Sequence, residues 1–142
     1  VLQDIQRRDA NQPVWLVGTS RGTVSAAALG IGLSPPPAGL VLTASLTSFQ
    51  LPTSVPRQAI DQIRVPVLVY HHRGDACRIT QAHEAQWIVS GLKNAPIKKL
   101  WLVEGGENPV GDPCEALHWH GFIGMEANAV KDIAGWIRQP TP

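Results

Sequence analysis

The chain lacks any apolar run approaching the ~20 residues that a membrane-spanning helix requires. It also lacks a charge bias. Lys and Arg number 12 against 11 Asp and Glu, a formal net charge of +1. No Lys/Arg cluster appears, and Lys98-Lys99 is only a pair, so there is no basic field for nucleic acid or an acidic membrane, and neither partner is expected. Repeats, low-complexity tracts and linkers long enough to separate domains are absent as well. Cysteine is scarce, with only Cys77 and Cys114. One pair cannot form the disulfide framework of a small fold. It leaves either a single staple in an exported protein or two free thiols in the cytosol. Residues 1–10 do not have the shape of a signal peptide, because Asp4, Arg7, Arg8 and Asp9 interrupt any apolar core. The chain starts at Val1 with a helix-like run already under way, which reads as a fragment or a cut chain. The missing leader therefore says nothing about export.

What is present describes a globular α/β chain. Its 142 residues suffice for one domain with one core. A content of 44% apolar and 16% charged residues argues against disorder. Residues 1–10 read as the end of a helix, broken at Asn11-Gln12-Pro13. Residues 14–17, 39–44, 67–70 and 100–103 are short, continuously apolar runs, the kind buried on both faces of a parallel sheet. Residues 22–29 form a helix rich in small residues, suited to close packing on a sheet. Pro35-Pro36-Pro37 is a turn, and residues 47–64 are irregular with room for one short helix. Thr80 is placed to cap a helix reaching about Leu92, with Ala85, Ile88 and Leu92 at helical spacing. Ile123, Ala127, Val130, Ala134 and Ile137 form the apolar face of a last helix. Short buried strands alternating with helices mean βαβ units. The expected fold class is α/β, a parallel sheet of about four strands with helices on both faces. Ligands on such sheets sit at the carboxyl ends of the strands.

Three strand ends carry chemistry. The first run leads into Gly18-Thr19-Ser20-Arg21-Gly22, a Gly-x-Ser-x-Gly between strand and helix, as a nucleophile elbow requires. Ser20 must sit in a tight, strained turn so that its hydroxyl projects above the sheet, and side chains at Gly18 and Gly22 are expected to collide there. The plain alternative is a chance match in a flexible loop. The third run leads into His71-His72-Arg73-Gly74-Asp75. An acid just past a strand end can accept the Nδ1 proton of a histidine and so fix its tautomer. The plain alternative is an ordinary Gly-Asp turn. After the fourth run a Gly/Pro-rich loop, residues 105–113, precedes His118-Trp119-His120-Gly121-Phe122. His120 is preferred as base because it adjoins Gly121 at the start of a helix, and His118 is its competitor. The chain order Ser, Asp, His is the order found in α/β-hydrolases.

On these residues the chain resembles the carboxyl half of an α/β-hydrolase, over essentially all 142 positions. The matching motifs are Gly-Thr-Ser-Arg-Gly around Ser20, His-His-Arg-Gly-Asp-Ala-Cys around Asp75, and His-Trp-His-Gly-Phe around His120. The resemblance implies a serine hydrolase acting on an acyl bond, most simply a carboxylic ester, of a small-molecule substrate, with no cofactor and no metal. Ser20 is the nucleophile, His120 the base and Asp75 the acid, and the backbone amide of Arg21 is one oxyanion donor. The family has further strands before the nucleophile strand, and the second oxyanion donor comes from a loop there. A lone fragment would then be poorly active, since losing one such donor costs ~10²–10³ in turnover. An incomplete sheet implies an exposed apolar edge or face, covered by a second copy of the chain or by the missing amino-terminal half. About 20 residues separate the second and third strands, too few for a large lid, so an open site is expected.

The segments around Cys77 and Cys114 resemble those of exported bacterial members of the fold. If acid and base meet, the two cysteines ride on the loops that bring them together, and a bridge clamps one loop to the other. Such a bridge implies ~2–4 kcal/mol of stabilisation by chain entropy and a periplasmic or secreted protein. The rival is zinc, since His71, His72, Cys77, Cys114, His118 and His120 include enough ligand types for a tetrahedral site. No Cys-x-x-Cys or His-x-x-x-His spacing supports it, and zinc would leave the elbow without a role. His71 reads as a strand-end residue within the fold, His72 as a loop residue near the site, and Trp119 as a pocket or core residue.

Overall fold

The computed structural model describes residues 2–9 and 12–142. Val1, Ala10 and Asn11, which bound the expected first helix and its break, lie outside the described residues. The element order is α1 (Leu2–Arg8), β1 (Trp15–Thr19), α2 (Gly22–Gly32), β2 (Gly39–Thr43), β3 (Val67–His72), α3 (Gln86–Gly91), β4 (Lys98–Val103) and α4 (Glu126–Arg138). Single 3₁₀ turns lie at Val55–Arg57, Ile60–Gln62, Ala82–Glu84 and Trp119–Gly121.

The four strands form one parallel sheet in the order β1-β2-β3-β4. Trp15 pairs with Gly39, Val41 with Leu68, and Val69 with Leu100. The two central strands are buried along their whole length, as continuous Val/Leu runs require of a sheet covered on both faces. Alternate side chains divide between two cores. Leu40, Leu42, Val67 and Val69 face α2 and α3, and Val41, Leu68 and Tyr70 face α4. Each such side chain taken out of water contributes ~1.5–3 kcal/mol. The small residues of α2 allow its close approach. A Cβ at Gly30 would lie 2.6 Å from Leu40 Cδ1.

Several local expectations change. The first strand is an edge, not a strand buried on both faces, and Val17 is 56% exposed. β3 runs two residues past Tyr70 and takes in His71 and His72, so His72 is a buried strand residue and not a loop residue. Thr80 caps no helix. The chain makes a 3₁₀ turn first, and α3 starts at Gln86 with no side-chain cap. The apolar stripe Ala85, Ile88 and Leu92 is fully buried as expected.

The face of α4 is also displaced. Val130 is 66% exposed and Ala127 is exposed, while Met125, Ala129 and Trp136 are buried. Counting from Ile123 sets the wrong phase, because Gly124 at φ +73° ends the preceding turn and the helix begins only at Glu126. The Tyr70 hydroxyl donates to Asp132 Oδ2 at 2.9 Å and ties α4 to β3. Burial first, and then that carboxylate, push the phenol well above the ordinary tyrosine range. No described helix is long and apolar enough to cross a membrane.

Candidate active site

Ser20 follows β1 directly and precedes α2. Its φ of 52° is left-handed, a conformation costly for a residue with a Cβ. Several bonds hold it there. The Ser20 amide donates to the Thr43 carbonyl at 3.0 Å, and the Ser20 carbonyl accepts from the Thr23 amide at 3.0 Å and the Thr23 hydroxyl at 2.6 Å. Gly18 is required by close approach, since a Cβ there would meet the Gly22 carbonyl oxygen at 2.5 Å. Gly22 itself is not so required. A Cβ there meets nothing within 4 Å, which corrects the expected collision on that side. The Arg21 amide makes no hydrogen bond among the described residues, which is what an oxyanion donor needs. The Arg21 side chain is exposed.

Asp75 and His120 meet. His120 Nδ1 lies 3.0 Å from Asp75 Oδ2, and both residues are buried. Asp75 sits in the turn after β3, and its Oδ1 accepts the Cys77 amide at 2.9 Å. His120 lies in the 3₁₀ turn Trp119–Gly121. Gly121 permits that turn because a Cβ would lie 2.1 Å from the Ala116 carbonyl oxygen. β1 and β3 run parallel, so Ser20 and Asp75 leave the sheet at the same carboxyl edge. The hydrogen-bonded chain is formed between Asp75 and His120 and is open between His120 and Ser20, whose hydroxyl has no bonded partner among the described residues. His118, the competing base, instead packs edge-on against Trp119, with its Nδ1 enclosed and unpaired.

The cysteines are bonded, with S–S at 2.00 Å and Cα atoms 4.6 Å apart. The bridge joins the turn after Asp75 to the loop before His120, and it withdraws both sulfurs from any zinc site. An open cleft of about 420 Å³ lies against it, lined by Arg21, Arg78, Asp112, Glu115 and both cysteines. A smaller one of about 280 Å³ runs from Thr19 and Thr43 to Gly121 and Phe122.

The neighbouring histidines are structural. His72 Nδ1 accepts the Gly74 amide at 3.0 Å, so its Nε2 carries the proton and donates to the Gly105 carbonyl at 2.9 Å. Its ring stacks on Trp119, which ties the acid turn to the histidine loop a second time. His71 is fully buried, and its Nε2 accepts the Ser45 amide at 2.8 Å. Burial above all, and His120 in smaller degree, lower its pKa to about 4, against the opposing pull of Asp75.

His71 is therefore neutral in the fold, whereas the unfolded chain binds a proton near 6.5. The stability that comes from keeping it neutral is fully present above pH ~6.5 and is lost as pH falls through about 4, on the order of 3 kcal/mol in all. His71→Gln, which keeps an acceptor for Ser45, should flatten this acid limb in urea titrations run from about pH 7 to about pH 4. Equal slopes in the two proteins would refute the assignment.

Sequence reasoning misses Thr80. Its hydroxyl donates to Asp75 Oδ2 at 2.9 Å and lies 3.1 Å from His120 Nδ1. A Thr that caps and a Thr that turns back on an acid five residues earlier look alike in sequence. No protein-family model and no curated protein matches this chain.

Proposed function

We propose that this chain is a serine hydrolase of α/β-hydrolase type that cleaves an acyl bond, most simply a carboxylic ester of a small molecule. The observation that carries the reading is the buried Asp75–His120 pair at the sheet edge that also bears the strained Ser20 turn. Ser20 attacks the carbonyl while His120 Nε2 takes its proton. Asp75 holds the Nδ1 proton and stabilises the imidazolium. The Arg21 amide faces the oxyanion. His120 then returns the proton to the leaving alcohol, and water resolves the acyl-enzyme by the same steps in reverse order. The disulfide supports an oxidising compartment, periplasmic or extracellular, because cytosolic thiols are held reduced.

A fluorophosphonate probe should label Ser20 in the folded protein and not label Ser20→Ala, with chromogenic short-chain esters hydrolysed in parallel. A folded protein that neither labels nor hydrolyses overturns the reading. The open Ser20–His120 link and the exposed β1 edge favour a second one, in which the site is completed when a further strand, from another copy or from upstream sequence, pairs with β1. Solution mass, measured together with activity, separates the two. Activity confined to an assembled species selects the second.

A further inference from the structure

We propose that Thr80 is a positioning residue of this site, its hydroxyl locking the Asp75 carboxylate in the rotation that receives His120. The inference rests on the hydrolase reading for its catalytic meaning, but on geometry for its substance. Thr80 is fully buried. A hydroxyl has one proton to give and lone pairs to accept with. The proton goes to Asp75 Oδ2 at 2.9 Å, since an ionised carboxylate has none to give. At the 3.1 Å contact with His120 the hydroxyl can then only accept, so Nδ1 is the donor. The Nδ1 proton is thus shared between Asp75 Oδ2 at 3.0 Å and Thr80 Oγ1. The three groups close a ring that fixes the imidazole tautomer and leaves Nε2 unprotonated for Ser20.

The torsion that needs locking is soft. Rotation of a carboxylate about its last bond is broad and two-fold, with no staggered well to hold it. Here each oxygen has its own tether from one turn, the Cys77 amide on Oδ1 and the Thr80 hydroxyl on Oδ2. The Thr80 amide bonds the Cys77 carbonyl at 3.1 Å, so the two tethers are built into the same loop. Without the hydroxyl, Oδ2 keeps the imidazole alone, and the imidazole moves with it.

The test uses the whole chain. In protein labelled with ¹⁵N-histidine, the His120 Nδ1 proton is read by NMR without substrate, and kcat and KM are read on a chromogenic ester. Thr80→Val, which keeps the shape and removes the hydroxyl, should shift the Nδ1 proton or lose it to exchange. It should lower kcat about 10- to 100-fold with KM little changed, the cost of a misplaced base. Thr80→Ser should restore both. If Thr80→Val does not fold, Thr80→Ala takes its place and is compared with Thr80→Ser. An unmoved Nδ1 proton in the folded variant overturns the proposal, as does undiminished kcat. Absence of turnover in the unaltered protein strikes the hydrolase reading instead, because the proton resonance does not depend on it.

Discussion

Asp75→Asn should lower kcat by about 10⁴ while the fold persists, the cost expected when a triad histidine is held in the wrong tautomer. The direction follows from the donors around the side chain. The Cys77 amide points at Oδ1, so the carbonyl oxygen of the new amide is held on that side. Its NH₂ group then faces His120 Nδ1, where Oδ2 stood, and the Thr80 hydroxyl turns to accept from it instead of donating. A donor facing Nδ1 forces that nitrogen to accept and moves the imidazole proton to Nε2. The nitrogen that should take the Ser20 proton is then already protonated. Binding of a neutral ester does not depend on the exchange, so KM should stay within about threefold. Chromogenic ester hydrolysis at saturating substrate, with far-UV circular dichroism as the control for folding, reads the result. A folded variant that loses less than about tenfold would show that Asp75 does not orient the base.

Removing the Cys77–Cys114 bridge should cost about 4 kcal/mol of stability, the chain-entropy value for a link across 37 residues. Activity should fall as well, and by a separate route. Cys77 contributes its amide to Asp75 Oδ1, and Cys114 begins the stretch that ends in His120. Untying the two lets the acid turn and the histidine loop separate. The His72–Gly105 bond and the stacking of His72 on Trp119 keep a partial connection. Urea melts of the unaltered protein and of Cys77→Ser/Cys114→Ser, with ester turnover measured below the melting range, check both effects. Stability within about 0.5 kcal/mol of the bridged protein would mean that the unfolded chain gains no freedom when the link is cut.

The sheet is legible because its strands are short apolar runs bounded by Pro13, Gly39 and Pro66, and because helical spacing separates them. The meeting of Asp75 and His120 at the edge that bears Ser20 is legible because strand ends can be located before any contact is known. What stays hidden depends on tertiary context. Val17 reads like Val41, yet only Val41 has neighbours on both sides. His71 reads as a strand end and His72 as a loop residue because they are polar, although an amide from Ser45 and a carbonyl from Gly105 give each ring a partner inside the buried strand. The phase of α4 is misread because the break at Gly124 falls inside a run with helix-like spacing. Thr80 reads as the cap of a helix that in fact starts later, and its true partner, Asp75, is reached only by the turn between them.

The strand order also bears on how the molecule comes together. Each strand pairs with its immediate predecessor in sequence, so no strand has to be inserted between two that are already joined. The pairings span 24 residues from Trp15 to Gly39, 27 from Leu40 to Val67 and 31 from Val67 to Lys98. The Asp75–His120 contact spans 45. Loop closure costs grow only as the logarithm of length, so these differ by about 0.6 kcal/mol at most. Closure entropy therefore sets no order among them, and the loops that carry Asp75 and His120 follow β3 and β4 directly. The ladder can grow one strand at a time, and the Asp75–His120 contact, the widest of these spans, closes across its carboxyl edge.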